Sequence, residues 1–187
     1  MADIFSGPQP IEIHARNALR NATVDIELCG TGTPLPQNIL DVMTSPDAHD
    51  VCRLITQLPF NWAPPQTSSD PLYTEHSEAK VHVELLGPGG LVKSDAVRLG
   101  LYGMQPHAEY GVRTHPAEET FIMLAGQAFW KRGTAPYMLA VPGERSHHPS
   151  MLPHASMTKE HAFLSVFAWH GDISTTNYVY EGLPDGP

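Results

Sequence analysis

Basic residues, cysteines and long apolar runs are all scarce in this chain. There are 11 Lys and Arg against 20 Asp and Glu, a formal net charge of −9. Nucleic acid is thereby excluded as a natural partner, because phosphate binding needs clustered Lys and Arg and no basic stripe is present. An acidic surface leaves room for a cationic small molecule. The only cysteines are Cys29 and Cys52. Two are too few for a disulfide scaffold, and reduced thiols are expected. No apolar stretch reaches the ~18 residues of a membrane helix. The opening from Met1 to Pro8 lacks a charged segment followed by an apolar run, so no signal peptide is expected and the cytoplasm is the default compartment.

What is present points to a mainly β protein. The 187 residues, 41% of them apolar, suffice for one domain with a full core. Gly (15) and Pro (18) suit short strands joined by tight turns. The first third reads as helical, with Ile11, Ala15, Ala18, Leu19 and Ala22 at helical spacing. A short helix is expected over 36–43. Another should start at Ser45-Pro46 and carry the stripe Val51, Leu54, Ile55 and Leu58. Residues 59–71 read as a connector whose Phe60 and Trp62 tuck against the β part.

From about Glu78 the period changes to two. Val81, Val83 and Leu85 alternate with polar residues, as do Val97, Leu99 and Leu101. Short apolar runs follow at 121–124, 127–131, 137–141, 154–158 and 162–169. The expected architecture is a jelly-roll barrel over 76–187, preceded by a helical extension and connector over 1–75.

Three side chains carry the chemistry. His115, Glu119 and His154 make a facial set of two imidazoles and one carboxylate, suited to a divalent first-row metal with positions left open for substrate. Arg113, His115, Glu119 and Phe121 share strand parity if Pro116 does not break the strand, and would then face the barrel interior together. His154 must come from another strand.

The segment from Thr114 to Gly126 resembles the first cupin motif, roughly Gly-x5-His-x-His-x3-Glu-x6-Gly. His115 takes the second histidine, Glu119 the glutamate and Gly126 the closing glycine. Pro149 to His154 resembles the second motif, Pro-x-Gly-x-x-His, with Met151 in place of the glycine. His115 to Glu119, Ala125 to Trp130, Trp169 to Asp172 and Tyr178 further resemble the cupin lyases that split dimethylsulfoniopropionate. The resemblance implies a cupin fold (double-stranded β-helix), a bound divalent ion (zinc, iron, manganese or nickel), and a small carboxylate substrate, a sulfonium zwitterion. It implies elimination to dimethyl sulfide and acrylate, and permits a homodimer.

Two positions depart from that pattern. The family's first metal histidine falls on Arg113, and an arginine stays protonated and cannot ligate. His107 is a replacement outside the motif. Arg113 either holds a substrate carboxylate bidentately or is a solvated or Glu118-paired arginine. The family's tyrosine two residues after the glutamate is Phe121, which has no hydroxyl. Tyr110 matches another active-site tyrosine and is the expected base, with Tyr102, Tyr178 and Tyr180 in reserve. A nearby cation would have to lower its pKa. His147-His148 is expected in the turn before His154, with a supporting role for one of them. Phe121 and Trp169 are expected to wall the substrate site, with Tyr102 and Tyr178 beside them. The two departures keep other readings open: a dioxygenase or isomerase of a small carboxylate, or a non-catalytic binding cupin.

Overall fold

The computed structural model describes residues 1–24, 26–28 and 30–184. Cys29 therefore lies outside the described residues. Helix α1 runs Pro10–Asn21, with proline in its first turn where the missing N–H costs nothing. Helix α2 is Gln37–Met43, α3 is Cys52–Ile55 and α4 is Pro71–Glu75. Asp70 caps α4, its carboxylate accepting from the Leu72 and Tyr73 amides. The third helix is shorter than its stripe suggests. Leu54 and Leu58 are exposed, and the Ser45 hydroxyl donates to the Val42 carbonyl instead of capping.

Eleven strands follow: β1 Lys80–Gly87, β2 Val92–Lys93, β3 Arg98–Met104, β4 Glu109–Thr114, β5 Glu118–Gly126, β6 Ala128–Arg132, β7 Met138–Ala140, β8 Arg145–His148, β9 His154–Met157, β10 Phe163–His170 and β11 Val179–Gly182. They form a six-stranded sheet, order β2-β1-β3-β10-β5-β8, and a five-stranded sheet, order β11-β4-β9-β6-β7. The expected closed barrel is thus two separate sheets, their edges not joined by hydrogen bonds. The alternation read through Leu85 breaks at a bulge between Glu84 and Leu86, so that Leu86 takes the buried place. Gly126 ends β5 at φ 72°, where a side chain would collide with the Ala162 carbonyl.

The six-stranded sheet is buried on both faces. On one face Leu99, Leu101, Ile122, Leu124, Leu164 and Val166 pack under the N-terminal segments, against Phe5, Ile11, Ile39 and Ile55. Phe60 and Trp62 join that layer as anticipated. Each fully buried aliphatic there contributes roughly 1.5–3 kcal/mol. The other face meets the five-stranded sheet through Tyr102, Phe121, Phe163, Phe167 and Trp169. Among the described residues no helix is long and apolar enough to cross a membrane.

Candidate metal centre

The chain leaves the five-stranded sheet at the end of β4 and enters the six-stranded sheet at β5. His115 sits in that corner and Glu119 near the start of β5. His154 opens β9, paired in register with Arg113 of β4. The two histidines and the carboxylate thus come from both sheets, and all three are buried. A bond from the Met151 amide to the His115 carbonyl, 2.9 Å, ties the second motif to the first. Met151 holds φ 61° at the motif's glycine position, a conformation costly for any side chain with a Cβ.

Geometry fixes the tautomers. His115 Nδ1 lies 3.0 Å from the Ala117 carbonyl and His154 Nδ1 2.8 Å from the Leu152 carbonyl. A carbonyl only accepts, so each Nδ1 carries the proton and each Nε2 presents a lone pair. Those Nε2 atoms, buried and without hydrogen-bond partners, stand 3.4 and 3.0 Å from Glu119 Oε2. Lone pairs facing a carboxylate oxygen repel unless a cation sits among them. Metal–ligand bonds of about 2.0–2.2 Å in a tetrahedral site put neighbouring ligand atoms about 3.3 Å apart. The two nitrogen–carboxylate spacings match, and one donor atom from each residue lies within 4.8 Å of the others. The set fits a divalent metal.

The surrounding groups hold the ligands in place. Trp169 Nε1 donates to Glu119 Oε1 at 2.5 Å, and its ring stacks on His115 at 4.2 Å. His148 Nδ1 is 3.4 Å from Glu119 Oε2, while its ring stacks on His154 at 4.1 Å and its Nε2 meets Ser146. Burial works to raise the Glu119 pKa, and a proton on any histidine nitrogen facing it works to lower it; with lone pairs on His115 and His154 Nε2, that lowering falls to His148 Nδ1. Burial, then Arg113, pushes His154 well down, and burial lowers His148 to about 4. His154 Nε2 therefore stays a lone-pair donor near neutral pH.

Residues adjacent in sequence point in opposite directions here. Glu119, His148 and Trp169 face inward. Glu118, His147 and His170 face outward, with Glu118 accepting from His147 at 2.7 Å and His14 stacked on His170 at 3.9 Å.

The remaining expected residues line one small cavity of about 60 Å³ together with Glu119: Tyr102, Tyr110, Arg113, Phe121, Trp169 and Tyr178. Arg113 is 1% exposed and does not pair with Glu118. Its guanidinium carbon lies 3.8 Å from the Tyr110 ring centroid. The Tyr110 and Tyr178 hydroxyls share a 2.6 Å hydrogen bond, and burial pushes both pKa values well up, the direction opposite to that of a base. Two expectations are corrected. His107 is exposed and faces Glu160 at 3.7 Å, so it replaces no ligand. His147-His148 is not in a turn but in β8, paired with β5. Lys80 was not anticipated at all. It is buried, with Nζ 3.6 Å from the Tyr110 ring centroid, and burial lowers it to about 6. Nor was the cavity mouth, where Arg98 pairs with Glu84 at 2.7 Å beside His82.

With this geometry established, comparison with known proteins decides the family. A family model described as dimethylsulfoniopropionate lyase matches residues 16–165. The chain belongs to the dimethylsulfoniopropionate lyase family. Dimethylsulfoniopropionate lyase DddQ of Ruegeria pomeroyi is 38% identical over 92 residues, 49% of this chain and 45% of that protein. The match thus spans about half the length of that relative. The crystal structure of DddQ from Ruegeria pomeroyi DSS-3 superposes with a TM-score of 0.65, covering 94% of this chain and 93% of that one at 24% identity. A structure from a study of the DMSP lyases RdDddP and RnDddQII gives 0.63 at 19% identity, over 95% and 97% of the two chains. The polyketide cyclase RemF from Streptomyces resistomycificus gives 0.50 at 15% identity, over 58% of this chain and 75% of that one. These likenesses show that the chain shares the fold of those lyase structures.

Proposed function

We propose that this member of the dimethylsulfoniopropionate lyase family is a metal-dependent carbon–sulfur lyase acting on a small carboxylate. The observation that carries the reading is the meeting of two imidazole lone pairs with one carboxylate oxygen, within 3.4 Å, beside an aromatic cavity. His115, Glu119 and His154 would hold the ion, which when bound supplies Lewis acidity toward a substrate oxygen. These ligands accept zinc, iron, manganese or nickel.

Tyr110 takes the α-proton of dimethylsulfoniopropionate. The electron pair of that C–H bond becomes the double bond of acrylate, and the C–S electrons leave with neutral dimethyl sulfide. Burial holds Tyr110 protonated in the protein alone. The Arg113 charge works in the other direction, and a dication nearby would add to it. Arg113 faces the same cavity. Tyr102, Phe121, Trp169 and Tyr178 wall it and exclude water, which strengthens each charge interaction inside. Incubating the metal-loaded protein with dimethylsulfoniopropionate should release dimethyl sulfide, measured by gas chromatography. Absence of the gas from metal-replete protein sinks the lyase reading.

One observation favours a second reading. Phe121 packs on Trp130 at 4.4 Å and offers no hydroxyl to the centre, and Arg113 alters its charge. A two-histidine, one-carboxylate iron site with those changes suits a dioxygenase or isomerase of a small carboxylate. Oxygen uptake across a panel of small acids, without dimethyl sulfide, would establish it. Metal content far below one equivalent after chelator-free purification would instead support a non-catalytic binding cupin.

A further inference from the structure

We propose that Arg113 is a carboxylate-binding subsite that works without the metal, so that this chain anchors its substrate on a guanidinium. The inference rests on the reading of a small carboxylate substrate and adds how that carboxylate is held.

Among the described residues Arg113 is the largest fully buried side chain. Its Nη2 has no hydrogen-bond partner. Its Nη1 makes only long contacts, 3.5 Å to the Tyr110 carbonyl and 3.4 Å to the Gly111 carbonyl. Among the described residues no carboxylate lies within 4.0 Å of it, whereas Arg20, Arg53, Arg98 and Arg145 all have acidic partners at that range. The near anion, Glu119, has one oxygen held by Trp169 and the other turned to three histidines. Arg113 is thus a fully buried guanidinium without a counter-ion, whereas the other arginines lacking an acidic partner, Arg16 and Arg132, are half-buried and exposed. A buried unpaired charge is costly, and arginine does not escape the cost by losing its proton. Something from outside supplies the missing negative charge.

The cavity says what that is. Arg113 lines it, with its guanidinium carbon 3.8 Å from the Tyr110 ring centroid. A carboxylate matches the guanidinium fork with two parallel bonds. A cavity of about 60 Å³ restricts it to a small acid. Phe121, Phe167 and Trp169 take the uncharged remainder. The ligand class is a short monocarboxylate, of which acrylate is the simplest probe. Where the family places a metal histidine, this chain thus exchanges one metal bond for an anion site of its own.

Calorimetric titration of chelator-treated protein with acrylate tests this. The metal-free wild type should bind, with chloride a poor competitor. Arg113→Lys keeps the charge but not the fork and should weaken binding about tenfold, and Arg113→Met about a hundredfold or more. Arg113→His should abolish metal-free binding while tightening zinc about tenfold as a fourth ligand. Thermal melting confirms folding of each variant, and Arg113→Met should melt higher than wild type without ligand. Acrylate binding only after metal addition, or unchanged in Arg113→Met, overturns the proposal, and so does chloride binding as tightly as acrylate. Binding through Arg113 without dimethyl sulfide release would sink the lyase reaction and leave the subsite standing; release with wholly metal-dependent binding would do the reverse.

Discussion

The two faces of the six-stranded sheet use the same strands for opposite ends. Along β3, β5 and β10 one set of alternate residues is aliphatic and lies under the N-terminal segments: Leu99, Leu101, Ile122, Leu124, Leu164 and Val166. The other set is aromatic or titratable and faces the second sheet: Tyr102, Glu119, Phe121, Phe167 and Trp169. The helix-covered face contains almost nothing that could react. The interior face contains buried Lys80, His148 and Glu119, and buried Arg113 belongs to β4 of the sheet it meets. Burying those groups costs stability, and the aliphatic layer on the other side offsets that cost. One face holds the fold together so that the other can hold charge.

The division can be broken from either side. Leu101→Ala, on the aliphatic face, should cost about 3–4 kcal/mol in urea denaturation and leave zinc affinity within about twofold. A large loss of metal binding in that variant would show that the faces are not independent. His154→Ala should do the opposite. Metal affinity should fall by at least about a hundredfold, since supporting residues alone are worth 10–100-fold. The metal-free protein should lose little stability, because the side chain leaves behind a carbonyl and not a charge. Equilibrium dialysis with zinc and a denaturant curve check both halves.

A subtler effect comes from Lys80. Burial lowers it to about 6 from 10.5. Between those values the unfolded chain holds a proton that the native chain does not, so stability rises with pH by up to about 1.4 kcal/mol per unit. Below about 6 the two states bind that proton alike and the dependence ends. Lys80→Met should flatten the rise between pH 6 and 8 and make the protein more stable at pH 7. The smallest effect is expected at Met151. Replacing it by glycine relieves φ 61° and should add about 0.5–1 kcal/mol, with unchanged metal affinity.

How legible these features are in the sequence follows from the same contrast. Leu99 and Leu101 show their alternation plainly because Arg98, Gly100 and Tyr102 between them differ in kind. Strand β8, Arg145-Ser146-His147-His148, has no apolar residue at all, so its pairing with β5 left no periodic mark. Only the parity of His148 with Glu119, visible once the register is known, places it inside. The helix after Ser45-Pro46 reads longer than it is because Leu54 and Leu58 mimic a buried stripe while lying in solvent. The cluster of His115, Glu119 and His154, which could hold a metal ion, was legible because two short motifs carry it. Residues gathered by tertiary packing alone, such as Lys80 beside Tyr110, were not.

Adjacent residues of like chemistry set a problem for folding. Glu118-Glu119, His147-His148 and Trp169-His170 each place one member inside and one outside. If β5 paired one residue out of step, a glutamate would still meet a histidine, and a run such as Phe121-Ile122-Met123-Leu124 would still present apolar groups both ways. The usual penalty for a slipped strand, greasy side chains thrust into water, is missing. What must reject the decoy alignment is bulk: rings forced under helices that accept only branched aliphatics, and a left-handed glycine at position 126 with no tolerance for a neighbour in its place.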